Sequence, residues 1–227
     1  MRKNGIIIAI DGPAGAGKST TARLVAEKMG YIYLDTGAMY RAVGFAALRQ
    51  GISPDDADVV TALSQSLHIV FENHNGQVQT VLNGENISDV IRTVEVAQAA
   101  SRVAVHQGVR DVLVSLQQDM GQAGGIVLEG RDTGTAIFPD AELKIFLVAD
   151  PAERAQRRLI DLEKQGESAD LDDLLEEIRV RDARDHQTQL RHGPWPALDA
   201  VSVDTTGLTI DGQVARIVSL ARERSDA

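Results

Sequence analysis

Residues 6–20 read Ile-Ile-Ile-Ala-Ile-Asp-Gly-Pro-Ala-Gly-Ala-Gly-Lys-Ser-Thr (IIIAIDGPAGAGKST). Five apolar residues, Ile6 to Ile10, run into Asp11 and then into a loop of Gly, Ala and Pro that ends at Lys18, Ser19 and Thr20. Gly12, Pro13, Ala14, Gly15, Ala16, Gly17, Lys18 and Ser19 fill G-x-x-x-x-G-K-[ST], the P-loop spacing. Its glycines let successive backbone N–H groups turn inward around an anion. Lys18 is placed to reach the β and γ phosphates of a nucleotide, and Ser19 to offer its hydroxyl to Mg²⁺.

Working outward, STTARLVAEKMG sets Leu24, Val25 and Met29 on one helical stripe, with Gly30 as the C-terminal cap. A helix therefore starts where the loop ends, and the positive end of its dipole faces the phosphates. A glycine-rich turn with a chance lysine is the plain alternative. The full pattern between a strand and a helix argues against it.

The basic start and apolar run of MRKNGIIIAI resemble a secretory leader, but the run stops at Asp11, short of the roughly 7–15 residues such a leader needs. No window approaches the roughly 18 apolar residues of a membrane span. Cysteine is absent, which excludes a disulfide framework and a thiolate zinc site. A cytoplasmic protein without membrane attachment is expected. At 227 residues, 43% hydrophobic and 25% charged, the chain can bury one sizeable core with inserts. Its net charge of −10 argues against a general grip on nucleic acid.

Short apolar runs at 31–34, 124–130, 143–150 and 200–204 join 6–10 as strands buried on both faces, with a last helix over about 209–224. The expected fold class is α/β: a P-loop core with a parallel sheet flanked by helices. Two stretches break the alternation. Residues 67–87 read as antiparallel hairpins, with turn signals at Asn75-Gly76 and Asn83-Gly84. Residues 150–187 read as two charged helices around a turn at Gly166. Arg154, Arg157 and Arg158 fall at i, i+3 and i+4 on the first of these helices, and Arg181 and Arg184 on the second. In so acidic a chain, clustered arginines suit phosphate, whose oxygens a guanidinium holds bidentately.

DTGAMYRAV (35–43), IRTVEVAQAASRVA (91–104), Val109-Arg110, LEGRDTGTAIFPDA (128–141), KIFLVADPAERAQRR (144–158) and IRVRDARD (178–185) resemble the successive motifs of bacterial cytidylate kinases, in the family's order and over nearly the whole chain. The resemblance implies a P-loop core (1–35, 124–150 and 188–227), a monophosphate-binding insert (36–123) carrying the small antiparallel sheet, and a short helical lid (151–187). It implies ATP and Mg²⁺, CMP or dCMP as acceptor, and a monomer.

Position by position, the resemblance gives the loop through Thr20, with Arg154 and Arg157, to ATP. Lys18, Arg131, Arg158 and Arg181 go to the phosphates in transfer. Ser19 and, through water, Glu129 go to the metal. Thr36, Tyr40 and Arg41 receive CMP, with Arg41 on its phosphate; Ser101, Arg110 and Asp132 read cytosine; Asp185 contacts the ribose. The family often carries a further Arg shortly after Asp185, where DHQTQLRHG has Thr188 and then Arg191. Glu129 stands where Asp can also occur.

A different small-molecule P-loop kinase shares loop and lid and differs only in the acceptor pocket. A GTPase-like switch needs a guanine-reading Asn-Lys-x-Asp, and the chain has no Asn-Lys pair. The five histidines show no metal spacing. Trp195, between two prolines, reads as a loop anchor rather than a base-stacking platform. The pairs Asp55-Asp56 and Asp172-Asp173 read as helix-dipole partners.

Overall fold

The computed structural model describes residues 2–74, 77–164, 166, 168–189 and 194–225. In chain order they form β1 (Ile7–Asp11), α1 (Lys18–Met29), β2 (Ile32–Asp35), α2 (Thr36–Arg49), α3 (Ala57–Ser66), β3 (Ile69–His74), β4 (Gln77–Leu82), β5 (Glu85–Asn86), α4 (Val94–Val103), α5 (Gln107–Gly121), β6 (Ile126–Gly130), β7 (Leu143–Val148), α6 (Pro151–Lys164), α7 (Leu171–Gln189), β8 (Val201–Asp204) and α8 (Ile210–Ser225). They fall into two units, Met1–Tyr33 with Ala123–Ala227, and Leu34–Gln122.

The first unit is built on a five-stranded sheet in the order β2-β6-β1-β7-β8. The pairs β1–β6, β1–β7 and β7–β8 are parallel. Every residue of β1 and β6 is buried, which is why these strands read as continuous apolar runs without alternation. Ile8, Ile10, Val127 and Ile145 share one apolar cluster with Val25 of α1 and Ile217 of α8, so the first and last helices close over the same core. The register sets Asp11 beside Gly130 and Phe146, so β1 and β6 end level with each other while β7 runs two residues further.

In the same unit, α6 and α7 form a helical hairpin around Leu162, Leu174 and Ile178, with Gly166 in the left-handed region between them. Asp172 and Asp173 lie in the first turn of α7 as expected, although the side chain that accepts from their backbone N–H groups is Asp170. Trp195 packs edge-on against Phe146 of β7 at 5.2 Å and near His186 of α7 at 5.9 Å, an anchoring contact rather than a stacking platform.

The second unit is helical around Met39, Val43, Val60, Val103 and Leu113, with the antiparallel sheet β3-β4-β5 attached through Ile69 and Leu82. The turn at Asn83-Gly84 has both residues at positive φ, and Asn83 Oδ1 accepts from His68 N at 2.8 Å. The Asn75-Gly76 turn lies outside the described residues. The Asp55-Asp56 reading needs correction for one residue. Asp56 caps α3 by accepting from Val59 N, whereas Asp55 turns away to a two-pronged ion pair with Arg102 of α4. A bidentate guanidinium offers two charge-assisted bonds, more than a helix end that Asp56 already serves.

Helices α2 and α4 approach closely at Gly44, where a Cβ would lie 2.9 Å from Ala100 N and 3.1 Å from Ala99 C. Both are backbone atoms that cannot swing aside. Gly44→Ala is expected to lower stability by about 1–3 kcal/mol, the usual cost of overpacking. Urea unfolding reads this as a lower midpoint at constant slope, and an unchanged midpoint would show that the two helices separate freely.

Candidate active site

The loop from Gly12 to Gly17 joins β1 to α1, and its shape depends on neighbours far along the chain. At Gly12 (φ 150°) a Cβ would stand 2.3 Å from the Leu147 carbonyl oxygen, so only glycine lets β1 leave the sheet here. Lys18 Nζ donates to Pro13 O at 2.8 Å, folding the lysine back over the loop. Helix α1 starts after Gly17 with no side-chain cap and no acidic residue in its first turn, an arrangement suited to an anion.

Lys18 is buried, 7% exposed. Burial pushes its ammonium down to about 7, the charges of Arg131 and Arg181 push the same way, and Glu129 and Asp185 oppose them. Burial, more than the neighbouring charges, is what disfavours the ammonium here. A polyphosphate arriving there would favour it.

Arg131, directly after β6, donates Nε to Asp185 Oδ2 of α7 at 2.7 Å. Burial lowers its pKa, but Asp185, Glu129 and Asp182 outweigh that and hold it above the ordinary arginine value. Glu129, buried in the same strand, accepts from Ser19 Oγ at 2.6 Å and from Tyr33 Oη at 3.4 Å. Serine hydroxyl and carboxylate form an all-oxygen pair, the donor chemistry of Mg²⁺, which keeps several waters and takes the rest of its shell from phosphates. Among the described residues no group of three or more His, Cys, Asp or Glu is placed to hold a metal ion by itself.

The three α6 arginines separate. Arg154 is 3% exposed and fully engaged: Nη1 donates to Ala14 O at 3.0 Å, Nε to Ala149 O at 3.2 Å and Nη2 to Asp182 Oδ2 at 2.6 Å. It ties the loop after β1 to both α6 and α7. Arg157 donates to Thr205 O and Oγ1 and pairs with Glu153. Arg158 is exposed and has no hydrogen bond or ion pair among the described residues. Arg181 is exposed on α7, yet its charge reaches Lys18. Of the residues after Asp185, Arg191 lies outside the described set and Thr188 is described only as part of α7.

The remaining candidates lie mostly in the second unit. Thr36, Tyr40 and Arg41 occupy the first turns of α2, Ser101 is in α4 and Arg110 is buried in α5. Asp35 has a double task that sequence reading missed. One oxygen caps α2 at Ala38 N, and the other accepts from Arg41 Nη2 at 2.7 Å. Arg41 Nε is buried without a partner among the described residues, a cationic donor held ready for an anion. Asp132, in the first unit, is buried at the head of the turn Thr133–Ile137.

The sequence model of the cytidylate kinase family matches residues 8–223. The chain belongs to the cytidylate kinase family. It is 44% identical to the cytidylate kinase of Geobacter sulfurreducens over 99% of this chain and 96% of that protein. With the cytidylate kinase of Listeria monocytogenes the identity is 49%, over 95% of this chain and 96% of that protein. A crystal structure of an uncharacterized protein from Eubacterium ventriosum aligns with a TM-score of 0.51 at 12% identity, over 96% of this chain and 98% of that one, a likeness of fold alone. Family membership puts the phosphate loop, the Arg131–Asp185 pair and the α2 arginine of this chain in a nucleoside monophosphate kinase. Among the described residues no helix is long and apolar enough to cross a membrane.

Proposed function

We propose that this cytidylate kinase transfers the γ-phosphoryl group of ATP directly to a phosphate oxygen of CMP or dCMP, giving ADP and CDP or dCDP. The observation that carries the reading is the buried cluster on the P-loop, where Lys18, Arg131 and the charge of Arg181 converge with Glu129 and Asp185 in a member of this family.

In one in-line step the acceptor oxygen bonds to the γ-phosphorus as the bond to the β-phosphate oxygen breaks, and ADP leaves. No covalent enzyme intermediate is needed. The backbone N–H groups of residues 14–20 cradle the triphosphate. Lys18, Arg131, Arg158 and Arg181 neutralise the oxygens in transfer, a task of positioning and electrostatics. Arg154 and Arg157 shape the ATP side, Arg154 through its hold on Ala14 O. Ser19 and, through water, Glu129 are the residues to hold Mg²⁺, which when bound supplies charge neutralisation on the phosphate oxygens.

On the acceptor side Arg41 takes the CMP phosphate with Thr36 and Tyr40 beside it. Ser101, Arg110 and Asp132 read cytosine, whose exocyclic amine donates and whose N3 and O2 accept. Asp185 serves the ribose, for which it must share or release Arg131. Closure of α6 and α7 over the triphosphate keeps water from taking the phosphoryl group. The enzyme is placed in the cytoplasm as a monomer with small nucleotides, not nucleic acid, as its partners.

The test is coupled ADP release with MgATP and, in turn, CMP, dCMP, UMP, AMP and no acceptor. Turnover dependent on CMP or dCMP, at least about tenfold above UMP in kcat/KM, is expected. Turnover blind to the acceptor, or confined to AMP, would overturn the assignment.

A further inference from the structure

Helix α7 carries two carboxylates, Asp182 and Asp185, three positions apart and therefore on one face. Each accepts from an arginine rooted in another part of the same unit: Asp185 Oδ2 from Arg131 Nε at 2.7 Å, and Asp182 Oδ2 from Arg154 Nη2 at 2.6 Å. Asp182 Oδ1 is buried and accepts from nothing among the described residues, where no other buried carboxylate oxygen lacks a donor. An ionised carboxylate accepts on both oxygens, and leaving a buried one empty is unfavourable.

Two partners compete for Asp185. Here it holds Arg131, and in the proposed reaction it serves the ribose of the acceptor. Turning to the ribose takes the acceptor away from Arg131 Nε in a buried place, where an N–H without a partner is unfavourable. We propose that Asp182 is a positioning residue that takes over Arg131 when Asp185 turns to the ribose, so that the guanidinium stays aimed at the phosphates through acceptor binding and transfer.

The neighbours of Asp182 support this. Arg154, which holds its other oxygen, is itself tied to Ala14 O and Ala149 O, so the Asp182 carboxylate is a fixed mark toward which Arg131 swings. The swing is short, because residues three apart on a helix have Cβ atoms about 5–6 Å apart, a span the flexible arginine stem covers. Burial lowers the Arg131 pKa, and Asp182 is already among the carboxylates, with Asp185 and Glu129, whose charge outweighs it. Glu129 is the poorer substitute for Asp185, since it accepts from Ser19 Oγ and Tyr33 Oη. Holding Arg154 explains one oxygen of Asp182 and leaves the second without a task.

The inference rests on the cytidylate reading, with Asp185 on the ribose, and the experiment separates the two. The probe is 2′,3′-dideoxycytidine monophosphate, which keeps base and phosphate but has no ribose hydroxyl to draw Asp185 from Arg131. Asp182→Asn keeps a carbonyl oxygen for Arg154 and sets N–H groups where Arg131 needs an acceptor. Transfer rates from saturating MgATP to saturating CMP, and to the saturating dideoxy compound, are compared for wild type and Asp182→Asn, with thermal unfolding as the check on folding. The expected result is a fall of about tenfold on CMP and of less than about twofold on the dideoxy compound. Equal losses on both acceptors, the mark of a residue that only holds Arg154, or no loss on either, overturn the proposal. If Asp182→Asn does not fold, or the dideoxy compound gives no rate, the Arg131 Nε–H resonance of wild type decides, identified by its loss in Arg131→Lys. It is expected to stay protected from solvent exchange with either acceptor bound, at a shift that differs between them. Loss of protection with CMP, or one shift for both acceptors, overturns the exchange. Wild type that turns over neither CMP nor dCMP brings down the cytidylate reading itself, whereas CMP turnover with equal losses brings down only the role of Asp182.

Discussion

Lys18→Ala is expected to lower kcat by about 10³-fold while leaving the protein folded, the usual scale for losing one preorganised charge that acts on a transition state. Lys18 is the cation folded directly over the phosphate loop, bonded at Pro13 O, and burial disfavours its charge. That cost is recovered when the negative charge of a triphosphate arrives. Removing the side chain therefore relieves the empty enzyme of a buried charge and deprives the reacting complex of its nearest one. Initial rates at saturating ATP and CMP, with urea unfolding of the same sample, separate the two effects. A variant within about threefold of wild type would remove Lys18 from the transferring group, and a large loss of stability would recast it as a structural lysine.

Asp132→Ala is expected to lower the CMP-to-UMP ratio of kcat/KM by about 10²-fold. The Asp132 carboxylate is buried and not used to cap its own turn. Cytosine offers it a donor where uracil presents a carbonyl, so uracil would leave a buried anion facing an acceptor. Alanine removes the repulsion against uracil along with the attraction for cytosine, so discrimination should fall more than total turnover on UMP. Competition between the two monophosphates in one reaction, followed by product chromatography, gives the ratio directly. A preserved preference for CMP would move base reading to Ser101 and Arg110.

The elements that were legible in the sequence are those whose cause is local. The inner strands β6, β1 and β7 are buried almost throughout, whereas the edge strands β2 and β8 are partly exposed and were legible only as short β-rich stretches; the hairpin at 83–84 carries its Asn-Gly, and α6 and α7 carry their charges. Spacing found the loop and the arginines of α6, and the family resemblance the Arg131 segment, but neither found what holds each side chain. Arg154 and Arg158 look alike on a helical wheel; one is sealed against Ala14 O and Asp182 and the other is exposed, because α7 packs over only one of them. Asp35 and Asp11 were passed over as strand-end polar residues. Their partners are a residue six positions onward and a turn 122 residues onward, and only the second is hidden from sequence pattern in principle. The same distance explains Asp55, which looked like a helix cap until Arg102 folded beside it.

The position of β1 in the sheet also bears on how the protein is made. β1 depends on the second half of the chain: its two hydrogen-bonding edges are filled by β6 and β7, beginning at Ile126 and Leu143. Carbonyls and side chains from residues 147, 154 and 205 then give the phosphate loop its contacts. During synthesis the nascent N-terminal segment is an unpaired, strongly apolar strand, the kind of segment that aggregates when exposed. Loop closure over more than a hundred residues precedes any native pairing of that strand, a slow, non-local step. The loop after β1 therefore takes up its folded contacts only once the strands and helices up to residue 205 have been made.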